Sequence, residues 1–303
     1  MFDVISIGSG PAGLSAGIYA KSAGLDLLVL EKEPMSGGQI LNTYEVDNYL
    51  GLPGIGGFDM GTEFRKHADR LAVPFREACA LEIIDKGNTK IVRTEKEELE
   101  TKSVILATGA HHEMLEVPGE EELSGMGVSY CATCDGAFFK NRTVAVVGGG
   151  DVALEDAIYL SRSCEKVYLI HRRDELRGAR VLQEELFAKE NVEILFSHVV
   201  KEIRGEDFVT AVLVEDRKTG QKREIPLAGV FVAVGIHPDS ELVRPLVNCD
   251  EAGYVIAGED CASSLPGIFV AGDVRKKPIR QVVTAVADGA NAAVSAGNYL
   301  TGR

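Results

Sequence analysis

The chain predicts an α/β protein of two Rossmann-like three-layer domains, the second inserted into the first. Three observations predict it. A strand–glycine turn–helix–strand unit opens the chain, the same unit returns about 140 residues later, and an apolar run ending in glycine closes each copy.

The first copy reads as a strand over Phe2 to Ile7, then Gly8-Ser9-Gly10-Pro11-Ala12-Gly13, a helix to Ala23 and a second strand from Leu25 to Leu30, ending at Glu31. Gly8 allows the tight turn, Gly10 lets a pyrophosphate touch the backbone, and Gly13 packs helix on strand, so this is a dinucleotide-binding context. The second copy has a strand over Thr143 to Val147, the turn Gly148-Gly149-Gly150-Asp151-Val152-Ala153, a helix to Ser161 and a strand over Val167 to Ile170. The closing runs are Val104 to Gly109 and Val230 to Gly235, as a buried parallel strand needs when a ligand approaches its C-terminal end.

Gly267 to Asp273 and an Ala-rich helix from about Gln281 to Tyr299 come after the second copy. A lone strand and helix cannot bury themselves, so they are expected to complete the first sheet. The first domain then spans 1–113 and 247–303, and the insertion spans 114–246. The chain crosses between them near Glu113–Pro118 and Leu242–Pro245, and two crossings permit domain rotation.

Composition bounds the function. The 303 residues are 45% hydrophobic, ample for packed cores. A formal charge of −14 argues against a nucleic-acid or anionic-membrane partner. No stretch approaches the roughly 20 apolar residues that span a bilayer, and Asp3 stands where a secretory signal would carry basic residues. A soluble, cytoplasmic protein is expected. Of six cysteines, Cys79, Cys164, Cys249 and Cys261 stand alone and read as small buried apolar residues. Cys131 and Cys134 form a C-x-x-C pair with no second pair to complete a four-thiolate zinc site, and no metal is expected. The pair reads as redox-active, with an accidental spacing or half a metal site as the alternatives.

The two nucleotide sites differ. Glu31 lies 18 residues beyond Gly13, where an acid accepts hydrogen bonds from an unphosphorylated ribose, as in FAD or NAD. The same offset in the second copy lands on His171, followed by Arg172, Arg173 and Arg177. Guanidinium forks suit a 2′-phosphate, so the second site reads as one for NADP. FAD is preferred at the first site because Gly37-Gly38-Gln39 follows the acid strand and Asp273 can accept from a ribityl hydroxyl. The helix after Arg280-Gln281 would aim its positive end at the ring.

With Cys131-Ala-Thr-Cys134-Asp135-Gly136 beside these two sites, the chain resembles the low-molecular-weight thioredoxin reductases of the bacterial and archaeal type. Gly8–Gly13, Gly37–Gln39, Cys131–Gly136, Gly148–Glu155, His171–Arg177 and Ala271–Val283 carry the resemblance in the family's order. The segment from Asp47 to Pro53 is longer than the family's usual Asn-x-Pro-Gly turn. The resemblance implies FAD contacts at Gly8, Ser9, Gly10, Pro11, Ala12, Gly13, Glu31, Lys32, Gly38, Gln39, Asn48, Gly109, Gly272, Asp273, Arg280, Gln281 and Val282. It implies NADPH contacts at Gly148, Gly150, Asp151, Val152, Ala153, Glu155, His171, Arg172, Arg173 and Arg177. It also implies that hydride passes from NADPH to FAD and that the Cys131–Cys134 disulfide is then reduced. Cys134 would lie nearer the flavin, Cys131 would attack thioredoxin, and Asp135 would serve as acid–base. Nicotinamide and dithiol would meet the flavin in turn by domain rotation, in a homodimer. A reductase of another disulfide, an oxygen-using dithiol oxidase and a non-enzymatic redox sensor are the competing readings.

Overall fold

A computed structural model describes residues 1–43 and 45–302; Tyr44 and Arg303, the last residue of the expected first domain, lie outside the described residues. The chain divides into two compact units. Unit 1 comprises residues 1–43, 55–111 and 237–302, and unit 2 comprises described residues 45–54 and 112–236.

In unit 1 the chain runs β1 (Phe2–Ile7), α1 (Pro11–Ser22), β2 (Leu27–Glu31), α2 (Gly57–Arg70), β3 (Phe75–Glu77), β4 (Ala80–Asp85), β5 (Lys90–Thr94), β6 (Glu98–Leu106) and β7 (Ala110–His112). The sheet order is β3-β2-β1-β6-β5-β4, parallel from β3 to β6 and antiparallel beyond. Alternate residues of β1 serve opposite faces, as strand geometry requires. Val4 packs with α1 and with Ala292 and Ala296 near the C-terminus, whereas Ile5 and Ile7 pack with Ile83, Val92, Val243 and Val255.

Unit 2 runs β8 (Val128–Ser129), α3 (Ala132–Asp135), β9 (Thr143–Gly148), α4 (Asp151–Ser161), β10 (Lys166–His171), α5 (Arg180–Phe187), β11 (Val192–Phe196), β12 (His198–Gly205), β13 (Val209–Asp216), β14 (Lys222–Pro226), β15 (Gly229–Ala233) and β16 (Ile236–Pro238). A parallel sheet has the order β11-β10-β9-β15-β8. Val144 and Val146 pack under α4 and α5, and Ala145 and Val147 under the antiparallel sheet β12-β13-β14, giving three layers. The chain passes between units at residues 43–45, 54–55, 111–112 and 236–237, and β7 and β16 pair at the last two of these.

The C-terminal stretch forms β17 (Ile268–Val270) and α6 (Val282–Thr301). β6 makes room for β17 by forking: residues 98–101 pair with β5, and Val104 to Leu106 pair with β17 in parallel. The strand expected to run to Asp273 ends at Val270, and Gly272 turns at φ +83°. α6 lies hard against α1, where a Cβ at Gly289 would stand 2.1 Å from the Ala12 carbonyl oxygen.

Three segments fall in a different unit from the one expected: residues 237–246 in unit 1, and described residues 45–54 and residues 112–113 in unit 2. Residues 237–246 pack in unit 1 because Val243 is fully buried in its core and Ser240 donates to the Gly253 carbonyl at 2.7 Å. Described residues 45–54 group with unit 2, with Val46 buried. Cys164 and Cys261 are buried, whereas Cys79 and Cys249 are only half-buried, unlike the expectation for small core residues.

Candidate functional site

In each parallel sheet the helix starts directly from the C-terminal end of a strand, which leaves no room for side chains in the turn. A Cβ on Gly13 would stand 1.9 Å from the Gly8 carbonyl oxygen, and Gly8 itself turns at φ +101°. Gly10 is different. A Cβ there would meet only the Gly37 carbonyl oxygen and Gly38 Cα, in ordinary contact at 3.9 Å, so the turn is uncrowded at this position and glycine leaves bare backbone at the N-terminus of α1. Free backbone N–H groups at such a helix start attract an anion.

The remaining unit 1 residues gather at the same strand ends. Ser9 is fully buried; its N–H and its hydroxyl both reach Glu31 Oε2 at 2.7 Å. The Ser9 and Ser36 hydroxyls share a hydrogen bond of 2.8 Å, and Arg65 donates to Ser36 at 3.0 Å. Gly37 N–H donates to the Ser9 carbonyl at 3.0 Å, which brings Gly38 against Gly10, and Gln39 donates to the Ala110 carbonyl beside Gly109. Pro11 and Ala12 open α1, and a Cβ on Gly272 would lie 3.0 Å from the Ala12 Cβ. Lys32 is exposed, and Asn48 is exposed and groups with unit 2 rather than with these residues.

A cluster of charges fixes the loop after β17. Asp288 of α6, 3% exposed, accepts from Gly272 N–H at 3.1 Å, from Arg275 Nη2 at 2.8 Å and from Lys277 Nζ at 3.1 Å. Lys277 Nζ also stands 3.5 Å from Asp273 Oδ1. Asp273 Oδ1 is buried without a hydrogen-bond partner among the described residues, and so is Arg280 Nε. Burial pushes the Asp273 carboxyl above its usual range, while Lys277 and Arg280 pull it down. The Arg280 guanidinium lies 4.0 Å over the Tyr254 ring. Gln281 caps α6 in a reciprocal box with Thr284, and Val282 is its first residue. Bare backbone at Gly10, together with buried polar atoms of Asp273 and Arg280 that lack hydrogen bonds among the described residues, fits a flavin dinucleotide, whose hydroxyls can supply the missing bonds.

Unit 2 repeats the turn. A Cβ on Gly148 would stand 2.4 Å from the Ala233 carbonyl oxygen, whereas Gly150 has nothing within 4 Å. α4 begins at Asp151, whose Oδ1 accepts from Ala179 N–H at 2.6 Å; Val152 and Glu155 are exposed and Ala153 is buried. His171 is buried under the turn, so close that a Cβ on Gly149 would overlap its ring. Burial holds its imidazole below the usual pKa, with Arg177 and Arg173 adding to the effect. The positive charge at this strand end therefore comes from Arg172, Arg173 and Arg177, all exposed. Arg177 N–H donates to the Gly149 carbonyl at 2.7 Å, which ties that arginine to the turn. Bare backbone at Gly150 flanked by exposed guanidinium groups fits a phosphorylated nucleotide.

Cys131 and Cys134 are joined in a disulfide, both half-buried, just past the end of β8. The Cys134 and Asp135 N–H groups both donate to the Cys131 carbonyl, at 3.2 and 3.1 Å, folding the pair into one turn. Asp135 comes next, its carboxyl pushed up by burial and held back by a hydrogen bond from Ser129. Among the described residues, no group of three or more His, Cys, Asp or Glu side chains is placed to hold a metal ion. Sequence reasoning did not single out Asp288, Ser36, Arg65 or Ser129. A lone acid in the Ala- and Gly-rich stretch 285–293 was the available signal for Asp288; the others carry none.

The pyridine nucleotide-disulphide oxidoreductase family matches residues 2–289. A thioredoxin reductase of Listeria innocua is 43% identical over 301 residues, 99% of this chain and 94% of its own length. That of Bacillus subtilis is 41% identical over 99% of this chain and 95% of its own length. The crystal structure of thioredoxin reductase from Streptococcus pyogenes superposes with a TM-score of 0.96 at 42% identity, covering 100% of this chain and 99% of that one.

Asp288→Ala leaves Arg275 and Lys277 buried without their carboxylate and is expected to cost about 3–5 kcal/mol. Urea unfolding followed by far-UV circular dichroism measures it, and an unchanged midpoint would show that the cluster does not hold the loop.

Proposed function

The chain belongs to the pyridine nucleotide-disulphide oxidoreductase family, among its thioredoxin reductases, and on that premise we propose that it reduces the disulfide of a thioredoxin with electrons from NADPH. The observation that carries this reading is a half-buried disulfide followed in the chain by a half-buried acid, in a unit that also holds a bare glycine turn beside three exposed arginines.

Unit 1 would hold FAD. Gly8, Gly10 and Gly13 clear the helix start for the pyrophosphate. Glu31, whose Oε2 accepts from Ser9 and whose Oε1 accepts from Glu33 N–H, would accept from the adenosine ribose through a remaining lone pair. Asp273 and Arg280, at the N-terminal end of α6, would meet the flavin end. Bound there, FAD supplies two-electron transfer between a nicotinamide hydride and a disulfide. Unit 2 would hold NADPH over Gly148 to Ala153, with Arg172, Arg173 and Arg177 on the 2′-phosphate.

The chain's own residues then manage sulfur and protons. Cys134 would be the sulfur to receive electrons from the flavin, and Cys131 would attack the thioredoxin disulfide through a mixed disulfide. Asp135 protonates the thiolate released when the Cys131–Cys134 bond opens, and burial equips it to hold a proton closer to neutral pH than an exposed carboxyl could. The enzyme acts as a cytoplasmic homodimer. Four cysteines without disulfide partners among the described residues suit a reducing compartment, and α6 presents Val283 and Val294 on one exposed stripe.

Cys131→Ser and Cys134→Ser are each expected to abolish NADPH-dependent reduction of thioredoxin while NADPH still bleaches the flavin absorbance; turnover by either variant would remove the dithiol from the path. Arg172→Ala combined with Arg173→Ala is expected to raise KM for NADPH about 100-fold, the scale of two lost charge-assisted contacts. KM for NADH should hardly move, and an equal rise for both nucleotides would contradict the assignment.

A further inference from the structure

Asp135 can deliver a proton usefully only if one of its oxygens is held and the other is left for the sulfur. Ser129, buried at the end of β8, stands two residues before Cys131. Its hydroxyl donates to Asp135 Oδ2 at 2.5 Å and accepts the Cys131 backbone N–H at 3.1 Å. A hydroxyl has one proton and two lone pairs, so both bonds stand together. The hydroxyl also lies 3.4 Å from the Cys131 carbonyl oxygen, a longer contact that competes poorly for the same proton. Asp135 Oδ1 is buried and has no hydrogen-bond partner among the described residues. One side chain thus ties the acid to the backbone of the thiol turn and leaves a single carboxyl oxygen unengaged.

We propose that Ser129 is the positioning residue of the acid, fixing Oδ2 so that Oδ1 carries and delivers the proton. The inference rests on reading Cys131–Cys134 as the redox pair and Asp135 as its acid. In the reductive step two electrons, brought with one proton as hydride from NADPH, break the S–S bond. One sulfur takes up that proton as a thiol and the other is released as thiolate. The proton on Asp135 Oδ1 moves to that sulfur, giving a thiol and leaving a carboxylate whose Oδ2 still accepts from Ser129. In exchange with thioredoxin the same carboxylate takes a proton back from the attacking thiol, whose thiolate opens the thioredoxin disulfide to a mixed disulfide; the second enzyme thiol then re-forms Cys131–Cys134 and releases reduced thioredoxin.

Ser129 bonds Asp135 in both protonation states, but the bond to the carboxylate is the stronger, so it opposes the upward push of burial. Few other titratable groups face this turn. β8 and the single 3-10 turn Gly136–Phe139 carry none, and Lys140 and Arg142 beyond it are exposed. Tyr130 is bonded to Glu120 at 3.1 Å. α4, packed against α3, brings Asp151, Glu155, Asp156 and Tyr159, with Tyr159 against Gly136. Of these, Asp156 is pushed up to about 7 by burial and by Glu155, so it needs its own control.

The test is the rate of dithiol formation after anaerobic mixing of the FAD-loaded enzyme with NADPH, counted by maleimide trapping from pH 5 to 10. The rate should fall as pH rises through one transition, and Asp135→Asn should remove that transition. Ser129→Ala should move the midpoint up by about one pH unit, the size of a charge-assisted hydrogen bond, and lower the plateau about tenfold. Ser129→Thr should restore both, and Asp156→Asn should leave the difference between Ser129→Ala and the parent in place. If Ser129→Ala does not fold, Ser129→Cys, close in size and a far weaker donor, is read in the same way. A midpoint unmoved in a Ser129 variant that melts as the parent does overturns the proposal, as does failure of Ser129→Thr to restore it. A transition that survives Asp135→Asn instead overturns the assignment of the acid, a separate result.

Discussion

A helix launched straight from the end of a parallel strand brings two backbones closer than any side chain allows. Gly13 and Gly148 each stand where a Cβ would come within 2.4 Å of a neighbouring carbonyl oxygen. The crowding has a chemical return. Gly10 and Gly150, two residues into each turn, escape that crowding and leave bare backbone at a helix start, where N–H groups lack intrahelical partners. An anion is what such a place takes, and the remaining site residues of both units are arranged about it. Buried valines, leucines and isoleucines on both faces of β1 and β9 hold the strands that aim the turns.

The two units share a strand order but fill its last position differently. β17, from the C-terminal end of the chain, stands beside β6 in unit 1; β8, from before the glycine turn, stands beside β15 in unit 2. The residues just past each of these strands set the chemistry of their unit. Beyond β17 come Gly272 and Asp273, anchored through Arg275 and Lys277 to a buried aspartate of α6. Beyond β8 come the disulfide and its acid, anchored through Ser129. The same slot thus leads to a buried, charge-anchored carboxylate in one unit and to a disulfide in the other.

Sequence makes legible whatever crowding or charge forces into a fixed spacing. The paired turns, the strands over Phe2–Ile7 and 143–147, and the closing strand with its long helix all stand where glycine spacing and apolar runs put them. The contrast between Glu31 and His171-Arg172-Arg173 was legible because both come after a strand end at one offset. The antiparallel strands β4, β5 and β12 to β14 were not. They are held by antiparallel pairing partners that local periodicity cannot name. His171 was legible in place but not in part: it is buried under Gly149 with its proton affinity depressed, so its role there is packing as much as charge. Ser129 and Asp288 act through residues six and more than ten positions away in the chain, and no short motif records such a bond.

The most direct measurement of the central claim is the electron capacity of the purified holoenzyme, titrated anaerobically with NADPH while the flavin absorbance is monitored. Flavin and dithiol in one electron path require about four electrons per chain before excess nucleotide accumulates. Saturation at about two, with Cys131 and Cys134 still disulfide-bonded by mass, would contradict the account.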